Sequence, residues 1–293
     1  MLAYRKTPLI ELKSDLLQAT DISLWMKREE LNHAEISGNK WWKLKYNLQE
    51  AKAKGFHTIL TFGGAYSNHL YATAAAAKEE GLKSIGVVRG EEQVDNSTLR
   101  FAESKGMTLH FVSREVYRTK ASEAYIESLQ KRFGPFYLIP EGGTNVHAIR
   151  GVEEWADSLA TEMKFNHLCL PVGTGGTIAG MINRLSDKTI IGFSSLKGGG
   201  FLQGEVKKWL IHRSSNWHLE TAYHFGGYGK VTKTLLDFMQ QFETTYQIPL
   251  DPIYTAKMMY GLFDMIKQGR FERGSTILAL HTGGLQGRAG FNF

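Results

Sequence analysis

Two lysines near the start of a helical stretch are the first residues in the sequence whose types and spacing indicate chemistry. Lys40 and Lys43 lie in the segment Ser37–Tyr46, and apolar residues recur at helical spacing from Leu44 to Ala51. Asn39 is a candidate N-cap, which places Lys40 in the first turn and Lys43 on the same face. Because a helix N-terminus disfavours cations, the pair indicates either a bound anion or a solvated basic helix start.

A glycine-rich turn is the second candidate site. Gly173-Thr174-Gly175-Gly176-Thr177 follows a strand-like run and precedes a helical one. Consecutive glycines let backbone N–H groups close around a phosphate, and the helix dipole favours the anion. Ile178 occupies the third glycine position of the dinucleotide fingerprint, and no Gly-Lys-Ser/Thr follows, so neither NAD nor ATP is indicated. The turn therefore predicts a phosphate site for another ligand, with a plain tight turn as the alternative.

Other polar turns follow strand-like runs or open helices. Ser67 and Asn68 begin a helix whose free N–H groups could bind a carboxylate, although Ser67 could equally be a simple N-cap. Tyr254 enters a later helix and Tyr228 lies in a glycine-rich loop; each could be an acid/base group or a packed ring. His281–Gly284 ends the last strand-like run. None of these turns is specific by itself.

Composition limits the class of protein. The 293 residues are 42% hydrophobic and 22% charged, which is typical of a soluble globular chain. The net charge of +6 includes no run of five cations, so nucleic-acid binding is not indicated, whereas an anionic small molecule suits the mild positive field. The single cysteine, Cys169, lies in an apolar run and is expected in the core. We see no signal peptide or membrane-spanning run, so we expect a cytoplasmic protein without a membrane partner, and we find no metal-ligand spacing.

Strand-like and helical runs alternate, which predicts an α/β fold with two open, mainly parallel sheets flanked by helices. We expect a small domain over residues 44–143 and a large one over residues 1–43 and 144–293. Ligands should bind in the cleft between them, at the carboxyl ends of the strands. The predicted strands are Ile22–Lys27, Thr58–Gly64, Ser84–Val88, Thr108–Val112, Tyr137–Pro140, His167–Val172, Thr189–Ser194 and Thr276–Leu280. Among the predicted helices are Ser67–Glu80, Asn96–Lys105, Arg114–Phe133, Ala148–Met163, Thr232–Tyr246 and Tyr254–Gln268.

The order of the motifs resembles one known family over nearly the whole chain. The sequence is similar to the pyridoxal-phosphate (PLP) enzymes of the tryptophan-synthase-β-like fold (fold type II), in the branch of D-cysteine desulfhydrase and 1-aminocyclopropane-1-carboxylate (ACC) deaminase. The segments that carry the resemblance are Ser37–Tyr46, Gly63–His69, Pro140–Gly143, Gly173–Gly180, Leu250–Lys257 and His281–Gly284. The resemblance implies a two-domain fold with PLP in the cleft, a small amino acid as substrate, and a homodimer.

The resemblance also implies residue roles. Lys40 corresponds to the lysine that forms the Schiff base, and Lys43 to a lysine near the phosphate, which the turn Gly173–Thr177 would bind. Asn68 corresponds to the partner of the pyridoxal 3-hydroxyl and Ser67 to a residue that binds the substrate carboxylate. Tyr228 and Tyr254 correspond to two active-site tyrosines, and the implied substrate-contacting residues are Tyr66, Ser67, Asn68 and His69.

Two threonines distinguish the activities within the branch. ACC deaminases typically have Glu at the position of Thr255 and Leu at that of Thr282, whereas desulfhydrase-like members have hydroxyl residues at both. The resemblance therefore implies β-elimination from D-cysteine to pyruvate, sulfide and ammonia, with ACC deaminase, D-serine dehydration, β-replacement and cofactor binding without turnover as alternatives. Tyr66 replaces a usual Gln and Trp42 a common Arg, and we expect both to border the site.

Overall fold

The computed structural model describes residues 2–91 and 96–291. Within this part of the chain, no helix is both long and apolar enough to cross a membrane. The strands are β1 (Leu9–Leu12), β2 (Ser23–Lys27), β3 (Thr58–Gly64), β4 (Lys83–Arg89), β5 (Met107–Val112), β6 (Tyr137–Leu138), β7 (His167–Val172), β8 (Thr189–Ser194), β9 (Trp217–Glu220) and β10 (Thr276–Leu280). The helices are α1 (Asp15–Thr20), α2 (Asn39–Ala53), α3 (Asn68–Glu79), α4 (Ser97–Ser104), α5 (Arg114–Arg118), α6 (Glu123–Phe133), α7 (Val146–Glu162), α8 (Gly176–Arg184), α9 (Leu202–Lys207), α10 (Lys233–Tyr246) and α11 (Thr255–Lys267).

Two sheets organise the chain. One has six strands in the order β1-β2-β10-β7-β8-β9, and the other has four in the order β5-β4-β3-β6. Within the described residues, the strand pairs are parallel except β1 with β2. The predicted α/β fold with two mainly parallel sheets is thus confirmed. The limits of the two domains, at residues 44 and 143, stay a prediction.

The central strands of the large sheet match the sequence prediction residue for residue. The bounds of β7, β8 and β10 are those predicted, and almost all of their residues are buried. Strands covered on both faces read as continuous apolar runs, and turn residues at each end mark their limits clearly. Because these strands are regular, the positions of the turns after β7 and β10 at the edge of the sheet are well defined.

The differences from the prediction lie in short or edge elements. Strands β1 and β9 and helix α1 were not predicted, because four to six half-buried residues carry too little periodicity. The single helix predicted over residues 114–133 is wrong. It is divided into α5 and α6, because the Ser122 hydroxyl accepts a hydrogen bond from the Tyr125 N–H and starts a new helix.

An aromatic cluster anchors α2 to the core. The Trp42 ring stacks on Trp155 of α7 with centroids 6.0 Å apart, and the Trp42 indole N–H donates to Glu29 Oε1 at 2.7 Å. Trp42 therefore packs into the core, and the expectation that it borders the site is wrong: on a helix, positions 40 and 43 share a face that position 42 does not. Cys169 is fully buried, as predicted, and burial raises the pKa of its thiol.

Candidate active site

A cavity of about 560 Å³ opens where the carboxyl ends of the two sheets meet. The four-stranded sheet contributes Gly64 at the end of β3 and Arg89 at the end of β4, and the six-stranded sheet contributes the turn after β7 and Thr282 after β10. This is the position where parallel α/β sheets bind ligands. The predicted site residues on its wall are Lys40, Lys43, Ser67, Asn68, His69, Gly173, Thr174, Gly175, Gly176, Thr177, Tyr228, Tyr254 and Thr282.

Lys40 is held at the cavity by the way α2 begins. Gly38, and not the predicted Asn39, is the N-cap: its φ is +69°, and a Cβ atom there would collide with the Thr282 carbonyl. The Asn39 N–H donates to that carbonyl at 3.2 Å, which ties the helix start to the end of β10. The Asn39 side chain is then free to donate to Thr177 Oγ1 at 2.8 Å and to accept from Lys40 Nζ at 2.9 Å.

The electrostatic environment favours a reactive amine at Lys40. Burial lowers the pKa of Lys40 to about 8, and the negative charge of Asp251 opposes this shift. The pKa of Lys43 is lowered well below its usual range, first by burial and then by repulsion from Lys40. Lysine is a nucleophile or base only when neutral, so lowering its pKa enlarges the reactive fraction near neutral pH.

Lys43 lies beside the glycine-rich turn. Its Nζ donates to Gly142 O at 2.5 Å and to Thr144 Oγ1 at 3.0 Å. A Cβ atom at Gly176 would lie 3.2 Å from Lys43 Nζ and 2.7 Å from Thr144 Oγ1. Glycine is therefore required at the first residue of α8 to keep this space open. Gly175 caps the helix in a left-handed conformation, without a side-chain hydrogen bond.

The donor set at this turn suits a phosphoryl group. The first N–H groups of a helix lack intrahelical partners, and those of α8 meet the ammonium group of Lys43 at the cavity wall. Thr174 and Thr177 add hydroxyls, of which Thr174 Oγ1 lies 2.7 Å from Thr144 Oγ1. Such a combination of helix dipole, glycine backbone and one lysine binds dianions. The residues present therefore fit the phosphate of PLP.

The start of α3 differs from that of α8 because a side chain caps it. The Ser67 hydroxyl accepts a hydrogen bond from the Leu70 N–H at 3.2 Å, as a simple N-cap would. Asn68 follows as the first helical residue, and its Oδ1 accepts a hydrogen bond from Gln286 Nε2. Both residues line the cavity, so the remaining N–H groups of this turn lie where a carboxylate could bind.

His69 is buried behind Ser67 and Asn68. Thr61 Oγ1 donates to Ile139 O at 2.8 Å, so the same hydroxyl must accept from His69 Nε2, also at 2.8 Å. This assigns the proton of the neutral ring to Nε2. Burial, with the charges of Lys40 and Lys43, lowers the pKa of His69 well below its usual range. Among the described residues Nδ1 has no hydrogen-bond partner, which leaves it as an acceptor.

Two tyrosines meet on the cavity wall beside the glycine-rich turn. The ring centroids of Tyr228 and Tyr254 lie 6.0 Å apart in an edge-to-face arrangement. A Cβ atom at Gly173 would lie 3.3 Å from Tyr254 Oη, so the Tyr254 ring covers the start of the glycine-rich turn. Burial raises the pKa of both phenols, and their hydrogen bond raises that of Tyr254 further. Both remain protonated near neutral pH and can act as proton donors.

Asp251 supports the site through Tyr254 and Thr255, a role that the sequence analysis missed. Its buried carboxylate accepts hydrogen bonds from the N–H groups of Ile253, Tyr254 and Thr255 at 2.8–3.0 Å. It also accepts from Thr255 Oγ1 at 2.5 Å. The carboxylate therefore starts α11 and orients its first residues. An Asp four residues before the first helical residue was a readable capping signal.

The two threonines that the sequence analysis paired, Thr255 and Thr282, have different environments in the structure. Thr282 lines the cavity, whereas Thr255 is fully buried and does not appear on the cavity wall. Tyr66, the remaining predicted contact, is also not on the wall. Tyr66 is 40% exposed, and its ring lies against Gly290. The substrate contact predicted for Tyr66 and the cofactor contact predicted for Thr255 stay predictions.

The cavity wall also contains charged residues that the sequence analysis did not list as site residues, although Glu141 lies in a turn expected at the cleft. Arg89 and the pair Lys120 and Glu141 line it, with Lys120 Nζ 3.2 Å from Glu141 Oε2. Tyr117 donates to the other oxygen of Glu141 at 2.8 Å. These side chains come from separate strands, turns and helices, so no spacing in the sequence could have grouped them.

Comparison with known proteins places this geometry in a family. The chain matches the pyridoxal-phosphate dependent enzyme family over residues 1–283. A Pyrococcus horikoshii protein, provisionally named 1-aminocyclopropane-1-carboxylate deaminase, is 32% identical and is aligned over 90% of this chain and 85% of its own length. The mitochondrial bifunctional D-cysteine desulfhydrase/1-aminocyclopropane-1-carboxylate deaminase of Arabidopsis thaliana is 31% identical, over 90% of this chain and 73% of its own.

A solved structure agrees in fold. The crystal structure of an ACC deaminase homologue superposes with a TM-score of 0.85 at 30% identity, covering 98% of this chain and 92% of that one. The predicted fold type and the predicted cofactor are thereby confirmed. With a glycine-rich turn that fits a phosphate and a lysine of lowered pKa on one cavity wall, the chain belongs to the pyridoxal-phosphate-dependent enzymes of fold type II.

Proposed function

We propose that the protein catalyses β-elimination from a small amino acid, most specifically from D-cysteine, which it converts to pyruvate, sulfide and ammonia. The observation that carries this choice is the hydroxyl residue Thr282 on the cavity wall, together with Thr255 at the start of α11. Neither residue supplies the carboxylate that would favour a protonated pyridine ring. A less electron-withdrawing ring suffices to expel a good leaving group such as a thiolate and suits ring opening less well.

The residues that would hold the cofactor follow from the cavity wall. The turn Gly173–Thr177 and Lys43 would bind the phosphate, Asn68 the 3-hydroxyl, and Lys40 would form the imine. Thr282 on the wall is placed by the proposal at the side of the ring nitrogen, and Thr255, which is buried and off the wall, is the second hydroxyl that the resemblance places there. When bound, PLP supplies an electron sink for the bonds at the substrate Cα.

The protein's own groups then perform the proton transfers. The start of α3, with Ser67, binds the substrate carboxylate, and the buried Nδ1 of His69 offers an acceptor behind it. Lys40, once its amine is free, removes the proton from Cα, for which its lowered pKa prepares it. The Cβ–S bond breaks with its electron pair on sulfur, and a protonated tyrosine, Tyr228 or Tyr254, donates a proton to the departing sulfur.

The test is product formation by the PLP-loaded protein. We expect pyruvate and sulfide in equal amounts from D-cysteine. The same assay is run separately with D-serine, L-cysteine, β-chloro-D-alanine and ACC for comparison. Replacing the base, Lys40→Ala, should lower turnover by about 10²- to 10⁴-fold. Pyruvate release that survives this substitution would contradict the role of Lys40. No release of sulfide from D-cysteine would contradict the proposed substrate.

ACC deaminase is the second candidate, because both relatives described above and the superposed structure carry that name. Its product from ACC is 2-oxobutyrate, which is readily separated from pyruvate. If the two threonines select the substrate, Thr255→Glu with Thr282→Leu should shift the product ratio towards 2-oxobutyrate. An unchanged substrate profile in a folded double variant would refute the selective role of these threonines.

We also propose that the enzyme is a homodimer, as is common in the branch that the sequence resembles. Light scattering on the PLP-loaded protein tests this: a mass near twice the 32.9 kDa of the chain is expected. A mass equal to that of one chain would contradict it.

A further inference from the structure

Lys257 is a buried lysine that the proposed mechanism does not use. It lies on α11 three residues after Tyr254, and only 1% of its surface is exposed. Its Nζ donates to two backbone carbonyls, His224 O at 3.0 Å and Gly227 O at 2.8 Å. Both carbonyls belong to the loop that contains Tyr228.

This loop, residues 224–230, lacks helix or strand structure to hold its shape. Phe225 has a φ of +51° and Gly227 one of +118°, conformations that L-residues rarely adopt. Its internal backbone bonds are from the Gly227 N–H to His224 O and from the Lys230 N–H to Gly227 O, at 3.0 and 3.1 Å. The ammonium group of Lys257 binds the same two carbonyls, so it joins both turns of the loop to α11.

Burial of the Lys257 amine costs free energy of folding, which argues against a role in stability alone. Burial lowers its pKa to about 8, with the charge of Asp251 opposing the shift. Taking a cation out of water costs free energy that its hydrogen bonds must offset, and some proteins keep such buried groups because they specify one geometry. Here the geometry concerns Tyr228, which directly follows Gly227 and whose ring meets Tyr254 on the same helix.

We propose that Lys257 is a positioning residue that fastens the loop 224–230 to α11 and thereby holds Tyr228 against Tyr254 at the cavity. The effect on turnover rests on the proposed function of Tyr228. The effect on the loop does not, because it concerns only hydrogen bonds within the chain.

Hydrogen exchange of the PLP-loaded protein tests directly whether Lys257 holds the loop 224–230 on α11. In Lys257→Met, which keeps the apolar stem, we expect the amides of residues 224–230 to exchange about tenfold faster or more, since hydrogen bonds to a charged group are lost. Tyr228→Phe is the matched control and should leave loop exchange unchanged. Lys257→Gln, a neutral donor, serves if the Met variant does not fold. Unchanged loop exchange in a folded variant overturns the proposal.

A double-mutant cycle on kcat/KM tests whether Lys257 affects turnover through Tyr228. If Lys257 acts through Tyr228, the loss caused by Lys257→Met should largely disappear in the Tyr228→Phe background. Additive losses overturn the positioning role. Should D-cysteine prove not to be the substrate, the exchange experiment still decides whether Lys257 holds the loop, so failure of the proposed function and failure of this inference remain distinct.

Discussion

Two helix starts face the same cavity and satisfy their free N–H groups in opposite ways. Helix α3 has a side-chain cap, the Ser67 hydroxyl, which accepts from the Leu70 N–H. Helix α8 has only Gly175 as a cap and no side-chain bond, with Lys43 beside it. A start that caps itself is stable when empty, whereas an uncapped one is completed by an anion. The difference is consistent with the roles proposed above, a substrate carboxylate at α3 that leaves after each turnover and a cofactor phosphate at α8 that stays.

Filling the space at the start of α8 should produce the largest effect. In Gly176→Val the side chain would meet Thr144 and Lys43, and we expect PLP affinity to fall about 100-fold or more, from overpacking and lost phosphate contacts. Equilibrium dialysis of PLP measures this. Gly204→Ala is the matched control, since a Cβ atom there meets nothing within 4 Å. Retention of PLP by the Val variant would contradict a phosphate at α8.

Removing the lysine beside α8 should have the next largest effect. Lys43→Met deletes the lysine amine that lies beside this turn and should weaken PLP binding about 10- to 100-fold, the range for a charged hydrogen bond. Lys45→Met on the same helix should not change it, because Lys45 pairs with Glu154 at the surface. The same titration compares both variants. Equal losses would show that the effect arises from α2 as a whole.

Lys40, the proposed imine-forming residue, faces the same cavity, so its protonation should control bond formation. Since the pKa of Lys40 is lowered to about 8, the neutral amine is depleted as the pH falls below that value. The rate at which PLP-free protein forms its coloured imine should therefore fall about tenfold per pH unit below 8 and level off above it. Stopped-flow absorbance measures this rate. A midpoint near that of an ordinary lysine would mean that Lys40 is not desolvated.

Removing the cap of α3 should produce the smallest effect. Ser67→Ala should lower the free energy of unfolding by about 1 kcal/mol, the usual cost of a lost N-cap, and should also raise KM. Ser122→Ala, which removes the N-cap of α6, should lower stability similarly without changing KM. Denaturant unfolding and steady-state kinetics separate the two effects. A KM unchanged in Ser67→Ala would show that Ser67 is only a cap.

Much of the fold was predictable because buried parallel strands and capped helices leave strong local patterns. The bounds of β7, β8 and β10 were predicted correctly, and Ser67 and Asn96 were recognised near the starts of their helices. The edge strands β1 and β9 were missed, because four half-buried residues do not form a readable period. The interruption between α5 and α6 was missed because a cap inside an otherwise helical pattern is locally weak.

The sequence by itself determined the family, the cofactor and the set of turns that meet at the cavity, because each turn is a local motif and their order is specific. Only the tertiary structure decided which side chains reach the cavity. It placed Trp42 in the core, directed the Thr255 hydroxyl to Asp251, and brought Lys257 under the loop of Tyr228. The physical reason is that burial and hydrogen bonding join residues distant in sequence, and these contacts set both orientation and pKa.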